Sequence, residues 1–283
     1  MKFFTTDWYL KMQCANAFSG IKSSAKASEF SEEFYQKQYE KWVKEQLDYE
    51  KKVSGFSFEK MFPAPAKADL RFIPEDEVKK LKDEYAENLP EYKKMYDERP
   101  TYDESKLREE YALTAKDEET KTLELLPEEI KAKIADTRLL GIGIVSPEVK
   151  KLITKFAKDS NKAVNDTLKQ YDEYYSSVAD KLPPELTSEK LDMNGSSVLT
   201  AEISDGKVTL TFDTECSYSN VCEITFEGAK ANGEDPSGAC WLYDEVDVTD
   251  SGYTLGILFA LPDGEVFTFE CEFSKVETKI KLK

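Results

Sequence analysis

Apolar residues recur at offsets of three, four and seven through the first 190 residues, and at every second position after about residue 195. The first period belongs to helices with one buried stripe, the second to strands with one buried face. Asp7 to Phe18 is a helix candidate with Trp8, Met12 and Ala15 along one side. Glu29 to Val53 is a longer one, carrying Phe30, Phe34, Tyr35, Tyr39, Trp42, Val43 and Leu47. Pro63 and Pro65, with the alanines around them, read as a linker. Pro74-Glu75-Asp76-Glu77 opens the next helix, with acids at the positive end of its dipole, and Val78, Leu81 and Tyr85 continue it. Pro90 is expected to interrupt it before Tyr92, Met95 and Tyr96, and Pro100 to separate Leu107 and Tyr111. A helix from Pro127 through Ile130, Ile134 and Leu139 is expected to end at Gly141 and Gly143. Ser146-Pro147-Glu148 is the clearest helix start in the chain, leading to Val178 and the stop at Pro183-Pro184, with Asp159-Ser160-Asn161 as a candidate kink.

The period-two half contains strand candidates at 198–203, 207–212, 220–227, 240–248, 253–261, 265–273 and 276–282. Ser204-Asp205-Gly206, Asp250-Ser251-Gly252 and Pro262-Asp263-Gly264 lie between them and favour tight hairpins. The expected fold is therefore α+β: an all-α domain over residues 1–190, then an antiparallel all-β meander or sandwich over 191–283.

Charge sharpens this division. The chain of 283 residues carries 39 Lys and Arg against 56 Asp and Glu, and no His. Residues 191–283 hold 6 of those bases and 18 of the acids, so the acidity is concentrated in the β half. Such a balance disfavours nucleic acid and anionic membranes as partners, because phosphate binding needs an excess of cations. The lack of His excludes Ser-His-Asp, Cys-His and His-metal chemistry on this chain. No apolar run reaches the ~7–15 residues of a secretory signal or the ~18 of a membrane span. A cytoplasmic, reducing setting is expected.

The segments Leu126-Pro127-Glu128-Glu129-Ile130 and Ile134-Ala135-Asp136-Thr137-Arg138-Leu139-Leu140-Gly141, with the start Lys2-Phe3-Phe4-Thr5, Trp8-Tyr9 and Met12-Gln13, resemble a domain-of-unknown-function family of Firmicutes. Ile224-Thr225-Phe226, Trp241-Leu242-Tyr243-Asp244-Glu245 and Tyr253 to Leu258 extend the resemblance into the β half, which is also similar to immunity proteins of toxin systems. Many such β domains open with His-Asp, where this chain has Asn194-Gly195. The resemblance implies the architecture and carries no activity.

Candidate chemistry is sparse. Trp241, Tyr243, Glu245 and Asp247 alternate, so all four are expected on one side of a strand, as a binding face for a partner or sugar. The competing reading has Trp241 and Tyr243 packed beneath the helices, with the acids at the rim. Glu223 and Asp244, with Glu245 and Asp247, supply carboxylates for a glycosidase-like pair, although composition alone suggests them. Asn232-Gly233-Glu234-Asp235 lacks the ordered ligand run of an EF-hand, and Gly141-Ile142-Gly143 follows a helix and lacks a third glycine, so neither calcium nor a dinucleotide is implied. Cys222 and Cys271 are expected in the core, on the faces of Ile224 and Phe226 and of Phe269 and Phe273; Cys216 and Cys240 sit on mixed strands. No metal or cofactor is expected. Arg99 and Arg138 flank element ends, which points to helix capping or interdomain pairing. The function expected from this inventory is a non-catalytic cytosolic protein whose acidic β domain binds a basic or polar partner, in its specific form an immunity-like neutraliser of a cationic toxin. The alternatives are a carboxylate-dependent hydrolase working at the α/β domain interface, and a scaffold whose sheet edge pairs in a homodimer.

Overall fold

A computed structural model describes residues 1–65, 73–187, 190–214 and 219–281. In chain order the elements are α1 (Thr6–Ala17), β1 (Lys22–Ser23), α2 (Glu32–Ser54), α3 (Phe58–Met61), α4 (Glu75–Asp97), α5 (Glu104–Leu125), α6 (Glu128–Lys131), β2 (Ile144–Val145) and α7 (Pro147–Val178). Seven strands follow: β3 (Val198–Ser204), β4 (Gly206–Phe212), β5 (Val221–Gly233), β6 (Cys240–Thr249), β7 (Gly252–Ala260), β8 (Val266–Phe273) and β9 (Lys275–Ile280). The fold is α+β, helical first and then antiparallel. Backbone packing divides the chain into two compact units, Met1–Ser19 with Lys151–Lys283, and Gly20–Lys150.

In the first unit the strand order is β3-β4-β5-β8-β7-β6, and β9 also pairs with β5. The three Asp/Gly turns join β3 to β4, β6 to β7 and β7 to β8, with Gly206, Gly252 and Gly264 at positive φ. β5 runs past residue 227 to Gly233, beyond the period-two stretch. Gly228, at φ 62°, lets the strand bend. Before that bend it pairs with β4 and β9, and after it Lys230 to Gly233 pair with β8. Both groups of strands feed one apolar core, in which Phe226, Trp241, Phe259 and Phe269 are fully buried. Beside it, Phe3, Phe4, Trp8 and Val164 make a smaller cluster with Tyr171, Tyr174 and Tyr243.

The helix after Ser146 forms as its start signal predicts: the Ser146 hydroxyl accepts the Val149 N–H at 3.2 Å. It runs unbroken through 159–161. Ser160 occupies a position in the buried stripe of Ile153 and Val164 while Asp159 and Asn161 face solvent, so the polar triplet obeys the helical period. Thr5 caps α1 in the same way, accepting from Trp8 N at 3.2 Å.

In the second unit α2 and α5 pack with the 3-10 segment Thr137–Ile142 around Ala27, Ala115, Leu139 and Ile142. The expected helix from 127 to 139 is broken: α6 stops at Lys131, and Asp136 takes over as N-cap, accepting from Arg138 N at 3.2 Å. Gly143 ends the 3-10 segment at φ 69°. Gly141 serves contact instead, because a Cβ there would lie 2.0 Å from the Ala115 carbonyl oxygen. Pro90 does not interrupt its helix either, and α4 continues through it. Contacts on both sides of Pro90 hold the helix: Tyr85 Oη donates to Phe62 O at 3.1 Å, Tyr92 stacks on Phe62 at 4.9 Å, and Tyr96 Oη donates to Phe56 O at 3.2 Å. β1 and β2, two residues each and parallel, have no signal in the sequence pattern.

Candidate functional site

β6 carries most of the residues singled out from the sequence, and it divides them between two faces. The register against β7 shifts between Trp241, opposite Phe259, and Tyr243, opposite Leu258. One extra residue in this strand reverses the facing of everything before it. Trp241 therefore faces the main core with Val246, while Tyr243, Glu245 and Asp247 share the opposite face. The expectation that all four point to one side is corrected by this bulge. A second bulge, between Val221 and Glu223 in β5, acts likewise on Cys222. Val221 joins Ile224 and Phe226 in the core, and Cys222 is half-buried with its Sγ 3.4 Å from the Lys279 carbonyl.

The face of Tyr243 and Glu245 is a seat for the chain's own first residues. The Glu245 carboxylate accepts backbone N–H groups from Lys2, from Phe3 at 2.7 Å and from Phe4 at 3.0 Å. Gly256 lies opposite Glu245 in the ladder and leaves room for this strap, since a Cβ there would come within 2.5 Å of Met1 Cγ. The Met1 amino group bonds to Glu270 at 2.8 Å. Phe4 and Trp8 pack on Tyr243 with ring centroids 5.9 and 4.9 Å away, and Trp8 Nε1 donates to Val164 O at 3.4 Å. Asp247 accepts the Tyr174 hydroxyl; burial and that bond push the Tyr174 phenol up to about 12. A cavity of about 220 Å³ remains beside Phe3, Tyr174, Glu245, Asp247 and Glu270.

The opposite face of β6 presents Asp244, which the sequence ranked only among many acids. Trp241 Nε1 donates to its Oδ1 at 3.0 Å. Burial raises the Asp244 carboxyl to about 6; the Trp241 bond works against this, and the charges of Asp192 and Glu245 add to it. Asp244 lines a cavity of about 300 Å³ with Tyr171 and Asp172 of α7, Leu186 and Val246. Tyr171 Oη accepts the Val246 N–H at 3.2 Å, which ties α7 to β6 at this point. Glu223 lies elsewhere, in an ion pair with Lys279 at 2.6 Å, so the four carboxylates do not converge.

The remaining candidates are structural. Cys271 is fully buried among the core aromatics, and burial pushes its thiol up to about 12, far from a reactive thiolate. Burial also raises the Cys14 and Cys240 thiols, and Cys216 lies outside the described residues. Asn194 Nδ2 donates to Leu242 O, and Gly195 N donates to Trp241 O at 2.8 Å, so the Asn-Gly step fastens the start of β6. Arg138 pairs with the buried Asp136 at 2.7 Å and with Glu32 at 2.8 Å, all within Gly20–Lys150. Arg99 stacks 3.6 Å over Tyr96 and bonds to its carbonyl at the end of α4.

Among the described residues, no group of three or more Cys, Asp or Glu is placed to hold a metal ion, and no helix is long and apolar enough to cross a membrane. Comparison with curated proteins gives no match, and comparison with solved structures gives none. A family model described as a protein of unknown function, DUF4085, matches residues 84–270, from within α4 to β8 and including both faces of β6. That span is well over half of the chain, which therefore belongs to the DUF4085 family.

Proposed function

We propose that this chain is a non-catalytic cytoplasmic binding protein that takes a basic or polar partner protein on its acidic β domain. One observation carries the reading. Residues 231–274, which span β6, β7 and β8, hold ten Asp and Glu and no Lys or Arg. Asp244, Glu245, Asp247 and Glu270 are engaged by groups of the same chain. Glu234, Asp235, Asp250, Asp263, Glu265 and Glu272 are exposed. Four of these, Glu234, Asp235, Asp263 and Glu265, lie on the β5–β6 and β7–β8 connections, which the strand register puts at the same end of the sheet. Clustered charge of one sign accelerates encounter with an oppositely charged surface and makes it salt-sensitive. If the resemblance of this half's sequence to immunity proteins holds, the specific form of such a partner is a cationic toxin.

The test is affinity capture with the whole chain at low and moderate salt, beside a variant carrying Glu234→Gln, Asp235→Asn, Asp263→Asn and Glu265→Gln. A basic protein retained by the wild type, and lost both with salt and in the variant, supports the reading. Equal recovery by the two baits would sink it.

Asp244 favours a second reading, a carboxylate-dependent hydrolase. A carboxyl raised to about 6 in a cavity suits a general acid, and Asp172 is the second carboxylate on the same lining. Turnover of glycoside or ester substrates that disappears in Asp244→Asn would establish it, and its absence over a broad panel leaves the binding reading in place.

A further inference from the structure

The cavity between α7 and β6 has a wall chemistry that protein binding at the acidic rim leaves unused. Tyr171 and Tyr175 contribute two rings, 6.0 Å apart and tilted by 47°. Leu186 and Val246, both buried, add aliphatic surface. Asp172, which is exposed, and Asp244, which is half-buried, contribute the charge, and no Lys or Arg is among the described residues of the lining. A carboxylate withdrawn from water without a cation nearby is held at a free-energy disadvantage, which a positive ligand removes.

We propose that this cavity binds an alkylammonium group, with Asp244 as its counter-ion and the rings of Tyr171 and Tyr175 as its walls. Aromatic faces attract ammonium ions through the ring quadrupole, and the surrounding carboxylates repel anions. A hard metal ion is a poor fit, because it needs six or more oxygen ligands where this lining is largely aromatic and aliphatic. The volume, about 300 Å³, is at the small end of ligand pockets (~300–1,000 Å³), which suits a small amine or the tip of a side chain. The ammonium comes either from a free amine or from a lysine of a bound protein. This site is independent of the acidic rim, since none of Glu234, Asp235, Asp263 and Glu265 lines it.

Proton linkage gives the site a signature. Asp244 feels the charges of Asp192 and, across the strand, of Glu245; it shares the cavity lining with Asp172, Tyr171 and Tyr175 of α7 and accepts from Trp241 of its own strand. Its carboxyl titrates near pH 6, so it is ionised above that pH and neutral below it. Ammonium binding is therefore strong at pH 7.5 and weakens as pH falls through 6.

Calorimetric titration of the whole chain with choline, with Nα-acetyl-lysine methylamide and with 3,3-dimethyl-1-butanol, the neutral isostere of choline, tests the proposal. At least one cation should bind at least tenfold more tightly than the isostere. The tighter of the two cations assigns the source, free amine or protein lysine. Asp244→Asn should weaken that binding tenfold or more, and the replacement amide can still accept from Trp241. With the wild-type protein, affinity should drop about tenfold between pH 7.5 and pH 5. Absence of binding by both cations at tens of millimolar, equal binding of the isostere, full affinity in Asp244→Asn, or an affinity unchanged at pH 5 would each overturn it.

Discussion

Glu245→Ala removes the carboxylate that receives the N–H groups of Lys2, Phe3 and Phe4. Two consequences compete. If the strap stays in place, the Phe3 and Phe4 N–H groups remain in buried surroundings without their acceptor, and a bond to a charged group contributes about 1.5–3 kcal/mol. Two of them together give about 3–6 kcal/mol. If the strap detaches, Phe3 and Phe4, 8% and 4% exposed, return to water at about 2 kcal/mol per ring. The easier route sets the limit, so the variant should lose about 4 kcal/mol by either measure. Glu245→Gln keeps one acceptor oxygen and aims an NH2 group at the remaining donors, and should lose about half as much, ~2 kcal/mol. Urea unfolding followed by tryptophan fluorescence reads the stability, and amide exchange at residues 2–4 reads the strap directly. An alanine variant within ~0.5 kcal/mol of wild type, with the Phe3 and Phe4 amides still protected, would refute the reasoning.

Three further outcomes follow from other parts of the structure. Asp244 has a folded pKa of about 6, above its unfolded value, so the folded state holds the proton more tightly and stability falls as pH rises from about 4 to 6; Asp244→Asn should flatten that segment and stabilise the protein at pH 8 by about 3 kcal/mol, read as unfolding midpoints against pH. Gly141→Ala places a methyl 2.0 Å from a backbone carbonyl and should destabilise the Gly20–Lys150 unit by about 3 kcal/mol in thermal unfolding. Arg138→Met leaves the buried Asp136 without its guanidinium and should cost about 3 kcal/mol in urea, with Arg138→Lys recovering part of it.

What was legible in the chain was local. Ser146-Pro147 marks a helix start because the cap and the proline act within one turn. The three Asp/Gly turns mark hairpins because a positive φ is a single-residue requirement. The two bulges left no such mark. Each shifts a period by one residue, so strict alternation puts Trp241 and Cys222 on the wrong faces and their neighbours on the right ones. The break at 131–136 is hidden because an apolar period continues through Ile134 while the Asp136 carboxylate takes the Arg138 N–H and starts a new segment. The strap was invisible for a different reason: Glu245 and the N–H groups it holds are more than 240 residues apart, and backbone donors have no side-chain signature. Asp244 was seen only as one acid among many, because burial, which sets it apart, is a property of the packed chain.

The distance in sequence between the strap and its seat also has a consequence in time. A ribosome adds roughly 5–20 residues per second, so β6 emerges roughly 10–50 s after Phe3 and Phe4. α1 and the residues before it are complete long before any surface exists to cover Phe3, Phe4 and Trp8. For that interval Phe3, Phe4 and Trp8 stay uncovered, and the unit they belong to closes only when its last strands arrive. The Gly20–Lys150 unit has no such wait, because all of its partners lie between the strap and the seat. Synthesis therefore completes the inserted unit first and the enclosing one last, and the strap aromatics wait for their cover throughout.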